Sequence, residues 1–263
     1  MFDIDGLSFW YGKNKALDDI SLTVAPGRFY GVIGPNGCGK TTFLDLLVRN
    51  RLPGKGTIRY SGRELREYGR RKLAREIALV PQDFYINFPF TVREVVLMGR
   101  HPYIPRFGSP SEGDLRLADE IMEKLEIDWF GNKYVTELSG GEKQRVVFAR
   151  ALVQDTPVLI LDEGTSSMDI QHTLSVLEIV AQKVKENGIT VIAALHNLNL
   201  AALYSDRLLF MKSGRIVAEG NTHEVLNEKN IGEVFEVDSR VYFDQYAGKT
   251  QVVFRRNSHA KLN

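Results

Sequence analysis

Gly34-Pro35-Asn36-Gly37-Cys38-Gly39-Lys40-Thr41 is the stretch on which the fold turns. It fits the spacing G-x-x-x-x-G-K-[ST], and its flanks supply the context that spacing requires. A short apolar run, Phe29 to Ile33, precedes it, and a helical pattern in Phe43, Leu44, Leu46, Leu47 and Val48 follows. Strand, glycine loop and helix in this order turn successive backbone N–H groups toward phosphate oxygens at the positive end of a helix. Lys40 can then reach the β- and γ-phosphates, and the Thr41 hydroxyl can ligate Mg²⁺. Without that context the same residues are a glycine turn with a surface lysine. Cys38, the only cysteine, reads as a small filler of the loop, or as a point of oxidative inhibition beside bound phosphate.

Outward from the loop, the pattern alternates between strand and helix. Apolar and polar residues alternate from Ile4 to Tyr11 and from Ile20 to Val24, as in half-buried strands of an antiparallel layer, with Pro26-Gly27 as punctuation. From Phe84 to about Gln154 the texture is aromatic and Pro-rich, then amphipathic: Leu115, Ala118, Ile121, Met122 and Leu125 predict one helix face of a helical insertion. Two strand-like runs return, Val158 to Leu161 and Thr190 to Ala194, separated by a helix with Leu174, Leu177, Ala181 and Val184 on one face. Such alternation implies βαβ units and a parallel sheet. Leu208 to Lys212 with Arg215 to Ala218, and Val241 to Phe243 with Gln251 to Phe254, predict two hairpins, and Asn257 to Asn263 a frayed end. The fold class is therefore α/β, a parallel-sheet core with an N-terminal antiparallel β layer and a helical insertion subdomain. We expect a single domain over 1–263: residues 1–83 and 156–237 form the core, 84–155 the helical subdomain, and 238–263 a hairpin and tail.

The 263 residues carry 34 Lys plus Arg against 33 Asp plus Glu, a net charge of +1, which excludes binding of nucleic acid by bulk charge. One cysteine cannot form an internal disulfide, consistent with a reducing compartment. Acids at Asp3 and Asp5 and the lack of an apolar h-region argue against a signal peptide, and no run approaches the ~20 apolar residues of a membrane span. Work at a membrane would need a partner.

Val158-Leu159-Ile160-Leu161-Asp162-Glu163 is an apolar run closing on two acids. A buried parallel strand delivers its C-terminal residues to the sheet edge where ligands bind. Asp162 is then the Mg²⁺ partner and Glu163 the group that polarises a water for attack on the γ-phosphate. Alone, an acidic pair after a strand is equally a solvated loop. Leu138-Ser139-Gly140-Gly141-Glu142-Lys143-Gln144-Arg145 contains the capping box Ser139-x-x-Glu142, opening a helix that carries Val146, Ala149, Leu152 and Val153. By itself it is a well-capped helix. With the phosphate loop before it and Asp162 lying 23 residues after Ser139, however, the sequence resembles the ATP-binding-cassette (ABC) ATPases, which have a P-loop NTPase fold.

The resemblance implies further roles, residue by residue. Gly34, Asn36, Gly37, Cys38, Gly39, Lys40, Thr41 and Thr42 would cradle ATP, and Tyr11, in Phe9-Trp10-Tyr11-Gly12, would stack on adenine, a contact of ~1 to 3 kcal/mol; otherwise Tyr11 is an ordinary strand aromatic. Gln82, after the Ile77 to Val80 strand, would touch Mg²⁺ and the attacking water, with Thr41 and Asp162 as the other metal oxygens. His196 would contact the γ-phosphate beside the catalytic Glu163. Ser139, Gly140 and Gly141 would meet the nucleotide held by a second copy of the chain packed head to tail, and the loop Ser166-Ser167-Met168-Asp169 would cross that interface. Two positions depart from the family's pattern: Gly164 stands where Pro is usual, and Asn197 where Asp is common.

In the transporters of this family the aromatic segment Phe84-Tyr85-Ile86-Asn87-Phe88-Pro89-Phe90, with Val95 to Tyr103, is the groove for a short permease helix; the alternative is internal core of the helical subdomain. Met98-Gly99-Arg100-x-Pro102-Tyr103 and the Glu224-Val225-Leu226 to Glu233-Val234-Phe235 tail resemble the ATPase subunits of importers for ferric siderophores, haem, cobalamin and molybdate. The implied protein hydrolyses ATP with Mg²⁺ on the cytoplasmic face of a membrane. Its partners would be permease subunits and, indirectly, a solute-binding protein, with no nucleic acid. The alternatives are another importer ATPase, such as one for molybdate or tungstate, or an ABC ATPase that serves no transport. A small-molecule kinase has no use for the Ser139 motif.

Overall fold

Phe2 begins the first strand because its side chain, 0% exposed, opens the alternation that the sequence shows only from Ile4 onward. A computed structural model of the chain describes residues 1–84, 88–164 and 168–255. In chain order its elements are β1 (Phe2–Tyr11), β2 (Asn14–Val24), β3 (Phe29–Ile33), α1 (Lys40–Leu47), β4 (Lys55–Tyr60), β5 (Arg63–Glu64), α2 (Arg70–Leu73) and β6 (Ile77–Val80). Then come α3 (Val92–Leu97), α4 (Glu112–Lys124), α5 (Gly140–Val153), β7 (Val158–Asp162), α6 (Ile170–Asn187), β8 (Thr190–Ala194) and α7 (Leu198–Tyr204). The chain closes through β9 (Arg207–Lys212), β10 (Arg215–Asn221), α8 (Thr222–Val225), α9 (Glu228–Phe235), β11 (Ser239–Asp244) and β12 (Lys249–Phe254). Among the described residues no helix is long and apolar enough to cross a membrane. Two units divide the chain, Met1–Arg66 with Ile192–Asn263 and Glu67–Val191.

In the first unit an antiparallel sheet has the order β2-β1-β4-β5. Phe2 faces Val24 and Ile4 faces Leu22, so one pleat face is apolar and buried. β2 starts at Asn14, six residues before the Ile20 run, because register shifts and Asp19 at φ 56° break the period-two pattern there. β3, buried at all five positions, lies parallel to β9, and β10 folds back on β9. β10 continues to Asn221 rather than Ala218, past an irregularity between Ile216 and Ala218. The β11–β12 hairpin is tied to α7: Val252 donates its N–H to Asn199 Oδ1 at 2.7 Å, and Asn199 Nδ2 donates to the Val252 carbonyl at 3.3 Å.

In the second unit β6 and β7 are parallel neighbours, Ile77 beside Val158 through Val80 beside Leu161, so α3, α4 and α5 form the crossover that parallel pairing requires. Of the five residues expected on the inner face at α4, four are buried, Leu125 among them. Ala118, Ile121 and Met122 are buried, but Leu115 is 38% exposed and Asp114 takes the inner place. Asp114 is stable there because it accepts from the Ser111 N–H (2.8 Å), the Ser111 hydroxyl (2.6 Å) and Arg100 Nε (2.6 Å). In α6 the buried residues are Thr173, Val176, Leu177, Val180 and Val184, so the expected Leu174 and Ala181 sit beside the buried stripe rather than on it. α5 is buried from Gln144 to Ala149 and from Ala151 to Val153.

Candidate functional site

β3 ends at Ile33, and the chain turns through Gly34 to Gly39 into α1. Gly39 is the N-cap of that helix at φ 108°, a left-handed conformation that glycine adopts without penalty, and no side chain caps the first turn. The uncapped N–H groups suit an anion. Lys40 is 4% exposed, and its Nζ donates to the carbonyls of Gly34 (2.9 Å) and Pro35 (3.3 Å), so its ammonium lies inside the curve of the loop. The back of the loop is stitched to the β9–β10 turn: Gly214 donates to the Cys38 carbonyl at 2.9 Å, and Asp18 to the Gly214 carbonyl at 2.9 Å. Arg215 holds Asp18 from the same turn, through Nε at 2.7 Å. Cys38 is 4% exposed, which agrees with the filler role; Asn36, Gly37 and Thr41 are exposed, and Thr42 is buried.

Tyr11 accompanies the loop through α1: its hydroxyl lies 3.3 Å from Thr42 Oγ1. The residue is 43% exposed, its ring edge-on to Phe9 at 5.0 Å between centroids, with the Arg51 guanidinium 4.8 Å from its centre. Sequence reading missed Arg51, since a cation forty residues distant has no periodic relation to the aromatic it covers. His196 is exposed just beyond β8, and Asn197 caps α7, accepting from the N–H groups of Asn199 (2.9 Å) and Leu200 (3.2 Å). The departure at position 197 therefore supplies the same cap that Asp would.

In the second unit Gln82 and the acid pair stand at the carboxyl ends of the adjacent parallel strands β6 and β7. Gln82 is exposed, Asp162 is 6% exposed, and Glu163 is half-buried at φ 52°. A Cβ at Gly164 would lie 2.7 Å from Val80 Cγ1 and 3.1 Å from Phe148 Cε2, which explains glycine where the family usually has proline. Ser139 caps α5, accepting from the Glu142 N–H at 3.3 Å while Glu142 Oε2 accepts from the Ser139 N–H (2.8 Å) and hydroxyl (2.7 Å). Those bonds hold the Glu142 carboxyl below its ordinary range. Gly140 and Gly141 begin the helix, Gly140 exposed to solvent. Asp169 caps α6 through the His172 N–H at 2.9 Å, which with the His172 ring lowers its pKa. Ser166 and Ser167 lie outside the described residues.

The aromatic insertion divides in two. Val95 and Val96, like the neighbouring Val92, are fully buried, which at those positions favours the alternative reading, internal core of the helical subdomain at α3. Phe90, Leu97, Met98, His101 and Ile104, with Arg106, instead line an open groove of about 620 Å³ that continues past Tyr103 to Pro110. Phe84 stacks under Arg150 at 4.1 Å. Tyr85 to Asn87 lie outside the described residues.

An uncapped helix start around a buried ammonium fits a polyphosphate. Each in its own unit, the exposed Thr41 at the start of α1 and Asp162 at the end of β7 carry hard oxygen donors of the kind Mg²⁺ takes.

The cobalamin import ATP-binding protein BtuD of Halobacterium salinarum is 39% identical over 250 residues, covering 95% of this chain and 62% of that protein. The chain thus spans less than two thirds of that relative's length. The ferric enterobactin transport ATP-binding protein FepC of Escherichia coli is 33% identical over 247 residues, covering 94% of this chain and 91% of that one. Among solved structures, a metal-chelate type ABC transporter in an inward-facing conformation superposes with a TM-score of 0.82 at 27% identity, covering 97% of this chain and 96% of that one. The ATP-binding cassette MJ0796, a dimer in a post-hydrolysis state with ADP and Pi, gives 0.75 at 25% identity over 84% and 99% of the two chains. Residues 17–166 match the family model for ABC transporters, more than half of the chain, and the chain belongs to that family as its ATPase domain.

Proposed function

We propose that this chain is the ATP-hydrolysing subunit of an ABC importer for a ferric siderophore, haem, cobalamin or a similar metal chelate, acting on the cytoplasmic face of a membrane. The observation that carries the ATPase reading is the uncapped start of α1 at Gly39 with the Lys40 ammonium buried beside the Gly34 carbonyl. The relatives named for cobalamin and ferric enterobactin and the metal-chelate transporter support the cargo class.

In this reading the backbone N–H groups of Gly34 and of Asn36 to Thr42, with the Lys40 ammonium, bind the phosphates and Tyr11 stacks on adenine. Thr41, Asp162 and Gln82 would hold Mg²⁺, which would supply positive charge against the β- and γ-phosphates. Glu163 orients a water for in-line attack on the γ-phosphate, giving ADP and phosphate, and His196 contacts that phosphate. Ser139, Gly140, Gly141 and Asp169 serve the nucleotide bound by a second copy; the dimeric cassette MJ0796 supports that arrangement. The groove around Phe90, Met98 and Ile104 receives a permease helix as a helix-in-groove contact.

Glu163→Gln tests the chemistry: ATP binding stays while turnover falls ~10²- to 10⁴-fold. Turnover at the unsubstituted rate overturns the role of Glu163. Affinity purification from detergent-solubilised membranes tests the transport reading: a polytopic membrane protein accompanies the chain. Recovery with ribosomes or DNA instead overturns it.

A further inference from the structure

Glu163 is a left-handed residue fixed from both sides. At φ 52° it holds a conformation that side chains rarely adopt, and such a residue persists only where its surroundings hold it. Its N-terminal neighbour Asp162 ends β7, whose Leu161 pairs with Val80 of β6. Its C-terminal neighbour Gly164 is held by one side chain, for Gln144 Nε2 donates to the Gly164 carbonyl at 2.7 Å.

That donor is built in. Gln144 is 7% exposed, and the next residue, Arg145, donates from Nη1 to the carbonyls of Leu125 and Glu126 at the end of α4, at 3.3 and 3.2 Å. One turn further along α5, Phe148 packs where Gly164 has no Cβ, opposite Val80. Val80 is two residues before Gln82. The Gly164 turn is thus a junction of three elements of this unit: the strand leading to Gln82, the strand carrying the acid pair, and the helix that Ser139 opens. Gln144 lies five residues into that helix from Ser139, about 7 Å along its axis.

We propose that Gln144 is a positioning residue for Glu163: its amide fixes the turn that aims the carboxylate, and ties that turn to the helix beginning at Ser139. The proposal rests on the reading of Glu163 as the group that orients water. A load on the N-terminus of α5 then reaches the Glu163 turn through a hydrogen bond and a packed ring rather than through mobile chain.

The test uses the full chain with MgATP. Gln144→Met keeps the length of the side chain and removes the donor. Turnover number falls about 10- to 100-fold, as for a catalytic group displaced by ~1 Å, while KM and ATP affinity stay within about twofold and the melting curve stays cooperative. In single turnovers on the Glu163→Gln background the same substitution changes nothing further, because the two act through one group. A folded Gln144→Met chain with unaltered turnover, beside an inactive Glu163→Gln, overturns the proposal and leaves the role of Glu163 standing. A loss carried in KM overturns it as well. If Glu163→Gln itself turns over normally, both fall. Should Gln144→Met not fold, Gln144→Asn, which keeps the amide but shortens its reach, carries the same readings.

Discussion

Lys40 Nζ lies 2.9 Å from the carbonyl of Gly34, the first glycine of the loop that Lys40 itself closes. The ammonium is desolvated and satisfied by loop carbonyls, so its position is set before any phosphate arrives.

Lys40→Ala follows from that arrangement. A hydrogen bond to a charged group contributes ~1.5 to 3 kcal/mol, so ATP affinity weakens roughly 10- to 100-fold. The chain without nucleotide loses little stability, because a buried charge leaves with its cost of desolvation. Titration with a fluorescent ATP analogue and thermal melting measure the two separately; unchanged affinity rules out the phosphate role of Lys40.

Asp114 sets an acid limit to stability. Hydrogen bonds from Ser111, then the Arg100 guanidinium, hold its carboxyl down to about 2, against about 3.9 in an unfolded chain. A carboxyl depressed in the folded state stabilises fully above the unfolded value and loses that contribution as pH falls through the folded one. The linkage is about 2 kcal/mol, present above about pH 4 and gone near pH 2. Urea unfolding of Asp114→Asn and the unsubstituted chain therefore differs most at pH 6, and the gap narrows by pH 3. A gap independent of pH excludes this account.

Asn197 tests whether the departure from the family's Asp matters. As an α7 cap its side-chain oxygen accepts two N–H groups, a role Asp fills equally. Asn197→Asp leaves the urea midpoint unchanged, and Asn197→Ala costs about 1 kcal/mol. Equal losses in both variants would show that the amide nitrogen, not the cap, is what the site needs.

These cases also mark where the sequence was legible. The phosphate loop, the acid-ended strand and the Ser139 box could be read because each combines fixed spacing with a turn that glycine or a cap requires, and the strands around them because apolar periodicity is strong. Asp114 and Gln144 could not. Each is a polar residue on a buried helix face, held by partners fourteen to twenty positions away in sequence, Arg100 and Gly164, and no window of one helix contains the partner. The mis-set stripe of α6 has a different cause: with Leu174, Val176, Leu177, Ile179, Val180 and Ala181 all apolar, hydrophobicity no longer names one face.

Ser139 gives the sharpest test of the dimer. Its hydroxyl caps α5 and pairs with Glu142, yet the residue is exposed at the helix start. Ser139→Arg removes the cap, a loss of about 1 kcal/mol that a domain of this size tolerates, and places a long cation where a second copy's nucleotide would approach. The monomer stays folded and binds ATP through its own Lys40 loop. On a Glu163→Gln background, which slows hydrolysis and preserves the bound state, the chain that keeps Ser139 shifts to twice the monomer mass when sized with ATP, and the chain carrying Ser139→Arg does not. A Ser139→Arg chain that still dimerises with ATP removes Ser139 from the interface, whereas one that no longer binds ATP at all assigns the residue a role in its own fold instead.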